Sequence, residues 1–421
     1  EPLQKMANAH DGPSLGIGPR LLDLLGIGAA LLLLLAWVTL VQWWVFDAVP
    51  AVAQLPVLDN RGGRLGLLAA ALVAWLLLTA WNAETANTSS MHNFYRARLT
   101  RAYLGVGNPA RHLDDMPMSA PAAPDNPERV SDVTAVVPGD DVPLADYRPE
   151  LKGGPLHLVN VCLNQTRGGR SGLYNADRKG ESMVASARGL EVAREGAPFL
   201  LQSGLDTLGR WIAISGAAAA PGAGAYTTRG WALLLFLAGA RLGYWLKVGH
   251  ERAFQPASRL REALRGSKAG RLLSEAMGKF HGQSAASWYL SDGGHFDNTG
   301  VHALLRRQLD FIILADCGAD PQYQFGDLEN LVRKARIDFG TDIEFYTHES
   351  AGRLPLPTDT QINILAPEDL RNLYTARGVL LARIRYPEVD GERRVGTLLV
   401  VKPNLHWAPD SDGLGFARRN P

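Results

Sequence analysis

Asp292, Gly293, Gly294 and His295 stand together in the stretch YLSDGGHFDNTG, residues 289–300. A carboxylate followed by two residues without side chains can act as a general base. The glycines leave room for a substrate or nucleophile and permit unusual backbone angles. Asp-Gly is equally the chemistry of a plain structural turn, and local chemistry leaves both readings open. A metal site built from Asp292, His295 and Asp297 is the weaker reading, because the spacing matches neither an EF-hand loop nor a zinc motif. His295 either orients a substrate or packs the turn, and Asp297 and Asn298 suit the N-cap of a following helix.

The elements around this stretch alternate. LHLVNVCLN is expected to form a buried strand, and RWIAISG a strand ending in a turn at Ser215. ASWYLSDGG is expected to be a strand that delivers Asp292 at its C-terminal end, where sites gather in α/β sheets. TGVHALLRRQL is expected to be a helix with Val301, Leu304, Leu305 and Leu309 on one face. DFIILADCGADP is apolar over its length, as in a parallel strand covered on both faces. Asp316 and Asp320 end that strand, with Asp320 in a turn. FGDLENLVRKARIDFG suits an amphipathic helix, with Arg333, Lys334 and Arg336 on a solvated or headgroup-facing side. TQINILA and RVGTLLVVKP suit further strands. This alternation predicts a three-layer α/β domain. Residues 107–154, rich in Pro, Asp and Ala, suit a surface loop or linker.

Two segments upstream are of a different kind. Leu24 to Val45 and Leu65 to Trp81 carry no charge, and at about 1.5 Å rise per residue each can cross a bilayer. Neither shows the polar stripe of a core helix. A hairpin over residues 21–84, with spans at about 24–45 and 65–81, puts both flanks on one side of the membrane. Arg61 and Arg64 fall in the connecting loop. Arg96, Arg98, Arg101 and Arg111 follow the second span and favour a cytoplasmic location for the rest. NTSSMHNFYRARLTRAYLG suits an amphipathic helix near the headgroups or docked on the main domain, with its arginines as membrane contacts rather than catalytic groups. A third apolar run, Trp231 to Leu246, contains Arg241 and suits a buried or membrane-surface helix rather than a span.

The formal net charge of +1 over 421 residues argues against a broad nucleic-acid footprint. Cys162 and Cys317 sit in apolar runs and suit two buried thiols in a reducing compartment. Residues 1–20 form an N-terminal flank without the pattern of a signal peptide. The flank does not begin with Met, and the expectation is that the chain is a piece of a longer protein.

The stretch YLSDGGHFDNTGVHALLRRQLDFIILADCGADP resembles the C-terminal part of patatin-like phospholipases, especially the large bacterial membrane-anchored type. NFYRARLTRAYLG after a span, WIAISGAAAAP and LVRKARIDFG are similar to the same group. The likeness extends over most of residues 85–421, and implies a patatin-like α/β/α domain portion preceded by the hairpin. It implies a Ser-Asp dyad with Asp292 as the base that takes the serine proton, an upstream glycine-rich oxyanion loop, no cofactor or metal, and a lipid ester at a membrane as substrate.

The sequence departs from that pattern. In residues 85–421 G-x-S-x-G occurs nowhere, and neither does the glycine-rich oxyanion motif. GGRSGLYN has Ser171 without the closing glycine, and WIAISGAA has Ala213 where the first glycine belongs. Either the nucleophile lies upstream, outside this chain, or Ser215 is a divergent nucleophile; the first is preferred. The function expected is therefore a membrane-bound serine acyl hydrolase. The alternative is a catalytically inactive, membrane-anchored binding or scaffolding protein on the same fold. A transporter is not the expectation, because two spans without intramembrane charge offer no pathway.

Overall fold

The structure, a computed structural model, describes residues 17–46, 60–80, 82–108, 138–167, 178–192, 206–248, 258–320, 323–346 and 379–402. The fold is mixed α/β and divides into two compact units, Glu1–Phe296 and Asp297–Pro421. The first unit contains α1 (Ile17–Phe46), α2 (Arg61–Ala80), α3 (Thr85–Thr88) and α4 (His92–Leu99), then strands β1 (Val159–Asn164), β2 (Gly180–Ser186) and β3 (Gly189–Val192). It continues with α5 (Leu208–Ser215), α6 (Arg229–Leu237), β4 (Tyr244–Lys247), α7 (Arg259–Gly266), α8 (Lys268–Met277) and β5 (Ser287–Asp292).

Within α1 and α2, Asp23–Phe46 and Arg61–Thr79 are long and apolar enough to cross a membrane, and only 6% of each window is buried. A soluble core helix would hide a face; here Leu31 to Leu35 are all exposed. The second helix begins earlier than its apolar run. Arg61 and Arg64, expected in the loop, lie in its first turn. Arg64 Nη1 donates to the Trp44 carbonyl at 3.3 Å, partnering a carbonyl that the end of α1 leaves free.

The first sheet runs β3-β2-β1-β5-β4 with every pair antiparallel. The β2–β3 hairpin was not foreseen. Its core joins Val161, Leu163, Met183, Trp288 and Leu290 to Leu208, Trp211 and Ile214 of α5.

RWIAISG is thus a helix and not the expected strand. A short apolar run does not distinguish the two, and the start signal here comes from far away. Asp141 Oδ1 accepts from Gly209 N at 2.8 Å, and Asp141 Oδ2 accepts from Thr207 Oγ1 at 2.8 Å and from Arg96 at 3.0 Å. A carboxylate 68 positions upstream of Gly209 satisfies the first turn. Arg96 pairs with that carboxylate, so it is a structural cation rather than the expected membrane contact.

The run Trp231 to Leu246 is also corrected. It is α6 followed by β4, broken where Gly239 takes φ +68°. Arg241 is buried between them and donates to Glu275 Oε2 at 2.9 Å.

The second unit holds α9 (His302–Leu305), β6 (Phe311–Ala315), α10 (Gly326–Phe339), β7 (Asp342–Phe345), β8 (Val379–Val389) and β9 (Glu392–Val401). Its sheet runs β6-β9-β8-β7, parallel only between β6 and β9. DFIILADCGADP gives β6, yet among the described residues only one face is covered. Ile312 and Leu314 are buried, while Phe311 and Ile313 are exposed. The helix expected from Thr299 to Leu309 is reduced to α9. Val301 and Leu305 enter the core, Leu304 packs against it, and Leu309 stays outside. Lys334 is buried rather than solvated; Arg336 is exposed and pairs with Asp342 at 2.8 Å. Cys162 is buried as expected, but Cys317 is exposed, and neither forms a disulfide among the described residues. TQINILA lies outside the described residues.

Candidate active site at the end of strand β5

Strand β5 is covered on both faces, with Trp288, Tyr289, Leu290 and Ser291 all buried, and the chain becomes partly exposed only at Asp292. The strand end is fixed on two sides. Val161 of β1 stands opposite Asp292, and Asp292 N donates to the Ala217 carbonyl at 3.4 Å. The side chain then folds onto its own turn, where Gly294 N donates to Oδ1 at 2.7 Å. Oδ2 has no hydrogen-bond partner among the described residues. Burial raises the Asp292 pKa to about 6, opposed by the Gly294 N–H. At neutral pH the group is ionised but more basic than an ordinary carboxylate, which suits a proton acceptor.

Gly293 has a packing reason to be glycine. A Cβ there would lie 2.6 Å from the Asn160 carbonyl oxygen and 2.8 Å from its side-chain nitrogen. Gly216 is similarly confined, since its Cβ would lie 2.6 Å from the Tyr95 hydroxyl. Gly294 contributes the N–H that orients the carboxylate.

His295 is committed to the scaffold. Asn164 Nδ2 donates to Ser291 Oγ at 2.8 Å, and Ser291 Oγ lies 2.9 Å from His295 Nδ1. With Gly224 N donating to Asn164 Oδ1 at 2.9 Å, this forms a buried polar chain. A further hydrogen bond ties the ring to the Ala218 backbone, and burial lowers the His295 pKa to about 4. The imidazole is therefore neutral near pH 7 and Nδ1 is already engaged, which leaves little for metal ligation. Asp297 Oδ2 accepts from His302 N at 2.9 Å and so serves the start of α9 from five residues away. Asn298 Nδ2 donates to Asp327 at 2.7 Å.

Ser215 is the last residue of α5, and its hydroxyl donates to the Asn160 carbonyl at 2.8 Å. It faces the negative end of the helix dipole, which disfavours an alkoxide. Ser171 lies outside the described residues. Tyr95 belongs to the neighbourhood although its sequence context marked it only as an aromatic position of an amphipathic helix. It sits on α4 and donates to the Gly216 carbonyl at 3.0 Å. Burial and the Asp292 charge raise its pKa. No sequence motif announces Tyr95; only the packing of α4 on α5 brings it there.

No family model, no curated protein and no solved structure matches this chain.

Proposed function

We propose that the protein is a membrane-bound serine acyl hydrolase of the patatin-like kind, acting on lipid esters, with Asp292 as general base. The observation that supports this reading is the Asp292 carboxylate itself. It stands at a strand end with one oxygen oriented by Gly294 and the other open, and burial raises its pKa to about 6. On this reading Oδ2 takes the proton as a serine Oγ bonds to the ester carbonyl carbon. The tetrahedral intermediate expels the alcohol, which recovers that proton. Asp292 then takes a proton from a water that attacks the acyl-enzyme and returns it to the serine Oγ as the fatty acid departs.

G-x-S-x-G is absent from residues 85–421, so the proposal assigns the nucleophile to a serine outside them and gives Ser215 a structural role. The three-layer patatin-like arrangement and a cytoplasmic α/β portion belong to the same proposal. The hairpin would hold the site beside the bilayer that contains its substrate.

A second reading, an inactive anchored scaffold, is favoured by the commitment of both Ser215 and His295 to backbone and neighbouring hydroxyl partners. The full-length gene product in detergent, labelled with a fluorophosphonate ester, separates the two. Labelling of wild type that is abolished in Asp292→Ala and kept in Ser215→Ala is the expected result. A wild type that never labels makes the scaffold the better account.

A further inference from the structure

Helices α7 and α8 are amphipathic in the wrong sense for water. In α7 Glu262 is buried, while Leu260 and Leu264, one turn apart, are 72% and 62% exposed. In α8 Arg271 and Glu275 are 1% and 2% exposed, while Leu273 is 57% exposed. The buried charges are spoken for. Glu262 accepts from Ala286 N at 3.0 Å and from Arg265 at 2.9 Å. Arg271 donates to the Ala83 carbonyl at 3.1 Å, and Glu275 takes Arg241 and Trp245. Polar groups inside and leucines outside is the arrangement expected beside an apolar medium.

The medium is identified by what adjoins the pair. Lys268, the first residue of α8, places its ammonium 4.0 Å from the ring centroid of Trp75 in α2. Trp75 lies about 7 Å before the helix end at Ala80, at about 1.5 Å per residue. Helix α8 also packs against α6, and α6 packs along the start of α1, where Asp23 Oδ1 accepts from Thr228 Oγ1 at 2.7 Å and Gly230 N at 3.0 Å. Both contacts fall at the ends of the hairpin from which the rest of the unit continues. The helices that carry the exposed leucines thus adjoin the apolar hairpin, α8 by direct contact with α2 and α7 by its contact with α8. On the α7 surface Arg259 and Arg261 flank the Leu260–Leu264 row on either side, and both are exposed.

We propose that α7 and α8 form a membrane-interface platform. Leu260, Leu264 and Leu273 enter the boundary between headgroups and acyl chains, and Arg259 and Arg261 engage the phosphates of anionic lipids. The platform rests on the hairpin crossing the membrane and not on the hydrolase reading. It would fix the height and tilt of the first unit over the bilayer, which a two-helix anchor alone does not.

The test uses the full chain with Cys317→Ser, reconstituted into phosphatidylcholine vesicles with or without phosphatidylglycerol. An environment-sensitive fluorophore is placed at Leu264→Cys, at Leu273→Cys, or at Leu34→Cys in the first hairpin helix. Lipids nitroxide-labelled high on the acyl chain should quench the fluorophore at 264 and 273, with iodide in the buffer excluded. Quenching should be stronger with phosphatidylglycerol, and Arg259→Gln with Arg261→Gln should weaken the docking equilibrium about thirtyfold. Lipid quenching at 34 together with free iodide access at 264 and 273 overturns the platform while the hairpin stands. Absence of lipid quenching at 34 removes both. Fluorophores at 264 that quench one another until diluted with unlabelled protein would mean that a second copy covers the face. Equal quenching in the two vesicle types would refute the arginine contacts.

Discussion

Ser215 donates its hydroxyl to the Asn160 carbonyl, and the same Asn160 forms the wall against which Gly293 is pressed. One residue of β1 thus joins the end of α5 to the turn beyond β5. Ser215→Ala is expected to cost about 1 kcal/mol, the worth of one hydrogen bond whose backbone acceptor is left short. Fluorophosphonate labelling of the full-length protein should survive the change. Thermal unfolding and labelling on the same sample check both, and a folded variant that no longer labels would make Ser215 the nucleophile.

Gly293→Ala attacks the same wall from the other side. The new Cβ meets backbone and amide atoms of Asn160, which a strand residue cannot move cheaply. The expected loss is about 1–3 kcal/mol, with the Asp292 turn displaced. A denaturant melt in detergent measures it. An unchanged midpoint would show that β1 yields at this position.

The raised Asp292 pKa has consequences for stability as well as chemistry. Its folded value of about 6 lies above the ordinary carboxylate value of 3.8. The folded state therefore holds the proton more tightly than the unfolded one. The stabilisation is complete below about pH 4 and is lost as pH rises through about 6. Asp292→Asn keeps an acceptor for the Gly294 N–H and removes the charge. It should raise stability at about pH 8 by on the order of 3 kcal/mol and leave it nearly unchanged near pH 4. Melting temperatures at the two pH values read the difference directly, and a pH-independent gap would contradict an elevated pKa. In an active enzyme, labelling of the wild type should rise with pH through about 6.

Much of this arrangement was legible in the sequence, for identifiable reasons. The hairpin helices, β1, β5, α10 and β9 each carry a long or uninterrupted pattern, so their type follows from local chemistry. Helix α5 was not legible because its first turn is satisfied by Asp141, and no residue next to Thr207 announces it. The α6–β4 run was misread because its length and apolarity outweighed Gly239, whose positive φ ends the helix. Asp292 could be placed at a strand end from flanking residues alone. Its open oxygen and Tyr95 could not, since both depend on how α4 and α5 pack. Lys334 shows the limit of charge as a surface signal, because a lysine in an amphipathic helix can still be enclosed by neighbours distant in sequence.

The buried pair Arg241–Glu275 offers the sharpest stability test. Arg241 bridges Glu275 to the Ser89 carbonyl and hydroxyl, at 2.9 Å and 2.8 Å, and so ties the segment that leaves the second hairpin helix to the first sheet. Burial raises the Glu275 pKa, and Arg241 opposes that shift. Arg241→Met removes the larger opposing charge, leaving that of Arg271, and among the described residues leaves the enclosed carboxylate with only Trp245 Nε1, 2.7 Å from Oε1, donating to it. The expected cost near neutral pH is about 3–5 kcal/mol. Because the Glu275 folded pKa then rises further above its unfolded value, the deficit should shrink as pH falls and the carboxyl takes a proton. Adding Glu275→Gln should recover part of the loss at neutral pH, since an amide needs no counter-charge. Thermal melts of the single and double variants at two pH values decide it. A double variant as unstable as Arg241→Met alone would mean that Arg241 acts through its bonds to Ser89 rather than through the ion pair.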